Sequence, residues 1–210
     1  RLSIEANLYY MKYRNQLVLT GKINDVGDPV LENVPDSYRA GIELSAGAKV
    51  TDWFNWNFNI AISENKIRDF TEYVDNWDEW PNQVENNLGT TDISFSPPVV
   101  MNNILNFEPV ENLKLKLFSK YVGKQYIDNT SSQERKLDPY FVNDLLVSYS
   151  ICPKFMKEIT FTLKVNNLLD EEYETNAWVY RYYSEGAEGV YDGYFPQAGI
   201  NYLAGMTIRF

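Results

Sequence analysis

The sequence predicts an all-β chain whose antiparallel strands form part of the wall of a transmembrane β-barrel, and three observations predict it. Apolar and polar residues alternate with a period of two through eight segments. The connections between these segments are alternately long and short. Aromatic residues gather at the segment ends, which suits rings that sit half wet at a membrane interface.

The first strand runs from Leu2 towards Leu19, with Leu2, Ile4, Ala6, Leu8 and Tyr10 on one face and Ser3, Glu5, Asn7 and Tyr9 on the other. Lys22 to Ser37 is rich in Gly, Asp, Asn and Pro and reads as a loop. Tyr38 to Lys49 is the second strand, and Thr51-Asp52-Trp53 turns it into a third that sets Trp56, Phe58, Ile60 and Ile62 against Asn55, Asn57 and Asn59. A long polar loop is expected from about Glu64 to Ser96, a fourth strand over Val99 to Phe107 and a short turn over Glu108 to Asn112. The fifth strand spans Leu113 to Tyr126, and Asp128 to Asp138 is a loop. Tyr140 to Ile151 is the sixth strand and Cys152 to Lys157 a turn. The seventh places Ile159, Phe161, Leu163 and Val165 opposite Thr160, Thr162, Lys164 and Asn166. A second long loop, Leu168 to Gly199, precedes the closing strand, Ile200 to Phe210.

The long loops begin near Lys22, Glu64, Asp128 and Leu168 and fall at one end; the short turns near Asp52, Pro109 and Lys154 fall at the other. Membrane barrels have this asymmetry, with short periplasmic turns and long extracellular loops, whereas a sandwich has no cause to sort its loops by length. Arg39, Glu43, Lys49, Lys114, Lys116, Lys164 and Arg209 all fall on the polar faces. A charge on the lipid face would cost about 2–4 kcal/mol at mid-bilayer. Trp53, Trp56, Phe107 and Phe210 are expected to form a girdle at the short-turn end. Tyr9, Tyr10, Tyr13, Tyr38, Tyr121, Tyr126 and Tyr140 are expected to form one at the other.

Composition excludes other classes. A net charge of −10, from 19 Lys+Arg against 29 Asp+Glu, argues against a nucleic-acid surface. No run approaches the roughly 20 apolar residues of a membrane helix. Histidine is absent and Cys152 is the only cysteine, so the commonest general base and any internal disulfide are missing. No enzyme and no cofactor are expected. Arg1-Leu-Ser-Ile-Glu is already strand-like, so a mature segment or a piece of something longer is expected rather than a leader peptide.

Val165-Asn-Asn-Leu-Leu-Asp-Glu-Glu-Tyr173 resembles the segment that follows the penultimate strand in TonB-dependent outer-membrane receptors, with Leu169 where Phe is usual. Phe195-Pro-Gln-Ala-Gly199 is similar to the stretch before their final strand, without its usual Arg. Tyr140 to Tyr149 resembles the preceding strand, and Leu8 to Gly27 an earlier strand and loop of Bacteroides-type members. The resemblance implies a 22-stranded barrel filled by a plug. Residues 1–210 would then be its eight C-terminal strands, with the plug and earlier strands outside this chain. It implies active import of a large scarce solute such as a siderophore, cobalamin or oligosaccharide, in the outer membrane of a Gram-negative bacterium. The implied partners are outer-membrane lipid, the remainder of the receptor, the TonB system acting through the plug, and a surface lipoprotein. Tyr202, Ile208 and Phe210 resemble the signal read by the barrel-assembly machinery. From the residues alone two alternatives stay open: an eight-stranded barrel with a structural or adhesive role, and a soluble sandwich binding sugar through Trp77, Trp80 and Trp178.

The two longest loops hold fifteen of the 29 acids together with most of the remaining aromatics. Tyr73, Trp77, Trp80, Trp178, Tyr180, Tyr182 and Tyr183 are the candidate ligand contacts, because rings stack on flat or sugar-like solutes while polar groups orient them. The bland alternative is a set of solvated, self-repelling loops. Asp75, Asp78 and Glu79 cluster oxygens that suit calcium, although their spacing matches no defined calcium loop.

Overall fold

The computed structural model describes all residues, Arg1–Phe210. It contains thirteen strands: β1 (Leu2–Ile23), β2 (Pro29–Lys49), β3 (Phe54–Asn76), β4 (Gln83–Asp92), β5 (Val99–Val110), β6 (Leu113–Val122), β7 (Gln125–Tyr126), β8 (Lys136–Leu137), β9 (Tyr140–Ile151), β10 (Glu158–Asn166), β11 (Glu174–Ser184), β12 (Ala187–Pro196) and β13 (Asn201–Arg209). A continuous wall runs β1-β2-β3-β5-β6-β9-β10-β13. Its neighbours are antiparallel throughout.

Register carries the sequence alternation across the whole wall. Residues paired in an antiparallel ladder share a face. Leu8↔Ile42↔Ile62↔Val99 and Leu115↔Val147↔Leu163↔Ala204 are two rows of one apolar face. That face is bare: Leu2, Ile4, Leu8 and Met206 are more than half exposed. In water such a surface is an aggregation hazard, and in lipid it is the required exterior. This excludes the soluble sandwich. The opposite face is polar and internally bonded, with Lys164–Asp144 at 3.2 Å, Arg209–Glu158 at 2.9 Å and Asn102 donating to Asn59 at 3.1 Å. The seven charges assigned to polar faces all lie there. Polar rows break the apolar face at Asn103↔Ser119↔Asn143, where the Trp56 indole N–H donates to Asn103 Oδ1 at 2.6 Å, and towards its outer end, where Lys12, Glu64 and Lys66 share its parity.

β1 and β13 pair only with β2 and β10, so the sheet is open and does not close as an eight-stranded barrel of its own. The predicted loops are largely strand. β1, β2 and β3 are 22, 21 and 23 residues long, whereas a tilted strand crosses a bilayer in about 9–11. Their upper halves stand outside the membrane. Only Asn24–Asp28 remains as the β1–β2 tip, where Asn24 Oδ1 accepts from the Val26 and Asp28 amides. The stretch expected to be loop from Glu64 holds the rest of β3 and all of β4, and that after Leu168 holds β11 and β12. Asn15 and Asp69, at φ 52° and 50°, together with Pro35, interrupt β1–β3 just beyond the pair Ser37↔Ile67. Above this level Val18, Val34, Ile67, Phe70 and Ile93 form a small core.

The short turns are as expected near Asp52 and Lys154, but Pro109 lies within β5 and the turn is Glu111–Asn112, with Asn112 at φ 67°. The girdles are narrower than expected. Trp53, Phe54 and Phe107 stack at the turn end and Tyr10 stacks on Tyr38 at the other. Tyr9 and Tyr13 fall on the polar face, and Tyr126 and Tyr140 are buried, so these four are not girdle residues.

Candidate ligand-capture surface

The site is built by two hairpins, β3–β4 and β11–β12. Alternation along β11 sends Ala177 and Val179 into a core with Ile127 and Leu137, which fixes the way the ribbon faces. Trp178, Tyr180 and Tyr182 therefore occupy the other face. Opposite them on β12 stand Gly193, Tyr191 and Gly189. A Cβ on Gly189 would fall inside the Tyr182 ring and one on Gly193 inside the Trp178 indole, so these two glycines let the rings lie flat on the ribbon. Trp77, from the end of β3, stacks on Tyr182 with centroids 3.9 Å apart and planes 16° off parallel. Tyr191 and Tyr180 extend the row at 5.5 and 6.0 Å from Tyr182. Trp77 and Tyr191 stay about half exposed, so the row presents ring faces and edges to solvent.

Charged groups clasp the hairpins together. A short parallel pairing, Tyr182↔Asp75 and Tyr183↔Asn76, brings them into register, and the Trp77 amide donates to the Tyr183 carbonyl at 2.8 Å. The Tyr180 hydroxyl and Gln83 donate to Asp75 at 2.9 and 2.7 Å. Burial pushes the Asp75 carboxyl up, but these two bonds and Lys22 outweigh it and hold it below its usual range. Asp78 accepts from the Gly186 and Glu185 amides at 2.9 and 2.7 Å, which holds its carboxyl low. Arg181 is buried between Glu72 and Glu188, with Glu188 at 2.5 Å. Burial disfavours the guanidinium charge, but the bond to Glu188 and the field of Glu72 more than restore it, and Arg181 in turn lowers Glu188.

Of the seven candidate contacts, the structure brings Trp77, Tyr180 and Tyr182 into one row and sets Trp178 on the same ribbon face. Tyr183 falls on the opposite face of β11, Trp80 stands alone and 68% exposed in the β3–β4 connection, and Tyr73 lines a separate cavity. Tyr191 belongs to the row and was not among the candidates. Its signal was available, since Gly189 and Gly193 share the four-residue spacing of Tyr182 and Trp178. Of the calcium candidates, Asp75 and Asp78 accept from hydroxyl, amide and backbone donors, and no cluster of three metal-ligating side chains forms. Tyr202 and Phe210 are 64% and 79% exposed and lie with Ile208 on the apolar face of β13. Beneath the β11 ribbon, between the outer hairpins, is a cavity of about 240 Å³.

An antiparallel wall that is apolar outside and polar inside, carrying tall outer hairpins with an aromatic surface, defines the class as the wall of a membrane barrel. Residues 1–168 match the family described as TonB dependent receptor-like, beta-barrel, and the chain belongs to that family, which resides in the Gram-negative outer membrane. A search among curated proteins finds no match. Among solved structures the fold is similar to the ferric-catecholate import receptor Fiu from E. coli K12, at TM-score 0.66 and 16% identity over 100% of this chain and 25% of that one. It is also similar to the siderophore receptor PiuA from Acinetobacter baumannii, at 0.63 and 16% over 98% and 26%. The copper transporter OprC matches at 0.65 and 16% over 100% and 30%. The chain thus spans between a quarter and three-tenths of these structures.

Proposed function

We propose that this chain supplies the C-terminal wall and outer hairpins of a receptor that imports a large scarce solute by TonB-dependent active transport, and that it is not an enzyme. The observation that carries the reading is the joining of a lipid-facing wall to an exposed aromatic row, Trp77, Tyr180, Tyr182 and Tyr191. Such a row suits flat or ring-shaped solutes, among them siderophores, corrinoids and oligosaccharides. In this reading the hairpins capture the solute, and a plug held by the remaining strands of a 22-stranded barrel is rearranged by TonB. A surface lipoprotein would cover the outer mouth. Tyr202, Ile208 and Phe210 would present the edge of β13 to the assembly machinery.

The test is growth of a strain deleted for this receptor on panels of ferric chelates, corrinoids and glycans as limiting nutrients. Loss of growth on one class, restored by the wild-type gene and not by a Trp77→Ala/Tyr182→Ala variant, is the expected result. Uptake that persists without TonB would overturn the reading.

A further inference from the structure

The cavity beneath the outer hairpins lies apart from the aromatic row and has chemistry of its own. It is lined by β1, β2, β3, β4, β11 and the segment after β7. Val30, Phe70, Val74 and Val179 give it an apolar wall. The charges around it do not cancel. Arg135 is taken by Asp128 at 2.6 Å, and Arg181 by Glu72 and Glu188. Glu32 has no cation within ion-pair distance, and its side chain accepts a single hydrogen bond, from Asn129 Nδ2 at 3.1 Å. Lys22, the remaining base on the cavity wall, lies over the Tyr180 ring at 5.9 Å.

We propose that this cavity is a binding site for a small organic cation, a primary ammonium on an aliphatic body, with Glu32 receiving the ammonium and the valines and Phe70 the body. The charge around Glu32 and the apolar lining combine in its favour. A half-buried carboxylate without an ion-pair partner is disfavoured, and an incoming ammonium relieves it. Glu32 faces the like charges of Asp128 on the segment after β7 and Glu72 on β3, opposed by Lys22 on β1 and by Arg181 on β11, whose charge is already shared between two acids. Burial is the largest influence on Glu32 and pushes its carboxyl up, so the unliganded cavity holds its charge reluctantly. The apolar wall favours an alkylammonium over a bare metal ion, which would need several free oxygen ligands. The site stands whichever solute the receptor imports.

The test is calorimetric titration of the purified detergent-solubilised receptor with 1,5-diaminopentane, 1,5-pentanediol and glutarate, which share a length and differ in their end groups. The diamine is expected to bind, and the diol and the dicarboxylate are not. Glu32→Gln keeps an acceptor for Asn129 and is expected to weaken the diamine at least tenfold. Lys22→Gln removes the competing cation and is expected to tighten it. Diamine affinity should fall as pH is lowered, beginning above the ordinary glutamate range. Equal binding of diol and diamine, binding of glutarate, or an unchanged diamine affinity in Glu32→Gln would each overturn the proposal. Val179→Phe, which fills the cavity without touching a charge, serves as the second variant, and diamine binding retained in it would also overturn the proposal. Because the readout is binding by purified protein, a failure of the transport reading leaves it intact.

Discussion

Arg181 bears the largest single electrostatic load in the outer hairpins. Its side chain is 11% exposed and serves two carboxylates, Glu72 on β3 and Glu188 on β12. Removing one partner of a buried pair costs roughly 3–5 kcal/mol, because the remaining charge stays buried and unpaired. Arg181→Met is therefore expected to undock β11–β12 while leaving the wall intact. Hydrogen exchange should rise over residues 174–196 and stay flat over β5, β6 and β9; uniform exchange would show that the pair does not hold the hairpins. Gly189 and Gly193 are less conspicuous and as specific. A methyl on either displaces a ring, so they set the shape of the aromatic row without touching a ligand.

Among the elements, β3 links the two worlds of the chain. Its lower half pairs with β2 and β5 in the wall, and its upper half pairs with β4 and touches β11. The clasp there responds to acid in a definite direction. Asp75, Asp78 and Glu188 are all held below their ordinary values in the folded protein. A depressed carboxyl contributes stability that is present above its unfolded pKa and is lost as pH falls through the folded one. The hairpins should therefore loosen only below about pH 4, the ordinary carboxylate range. Trp77 fluorescence would follow this, read against a Trp77→Phe background, and a transition near neutrality would contradict it. Glu32 has the opposite sign, since its raised pKa makes its contribution greatest at low pH, lost as pH rises through the folded value.

At the scale of the molecule, the wall was legible because lipid touches one face and water the other, so side chains alternate from Leu2 to Tyr10 and, with Leu203 the exception, from Tyr202 to Phe210. The outer hairpins were not. Both of their faces meet protein and water, and Asn15, Pro35 and Asp69 break the alternation, so their Gly- and Asp-rich strands looked like loop. The site was legible as composition and not as geometry: Trp77, Tyr180 and Tyr182 converge, whereas Tyr183 lies one residue away on the wrong face. Orientation of the wall can be tested directly. Leu44→Arg places a charge in lipid at a cost of about 2–4 kcal/mol, whereas Ser45→Lys places one in the aqueous interior at little cost. Assembly yield of heat-modifiable protein should fall only for the first; equal yields would reverse the assignment of faces.

The level where Asn15, Pro35 and Asp69 interrupt their strands also divides the molecule mechanically. Below it, β1–β3 are locked edge to edge by continuous ladders; above it, β3 leaves β2 for β4. β3 therefore has one set of strand partners within the wall and another above it. The outer hairpins are joined to the wall through that one strand's continuation and through the continuing β1–β2 ladder, so a break in the alternation need not be a break in the sheet.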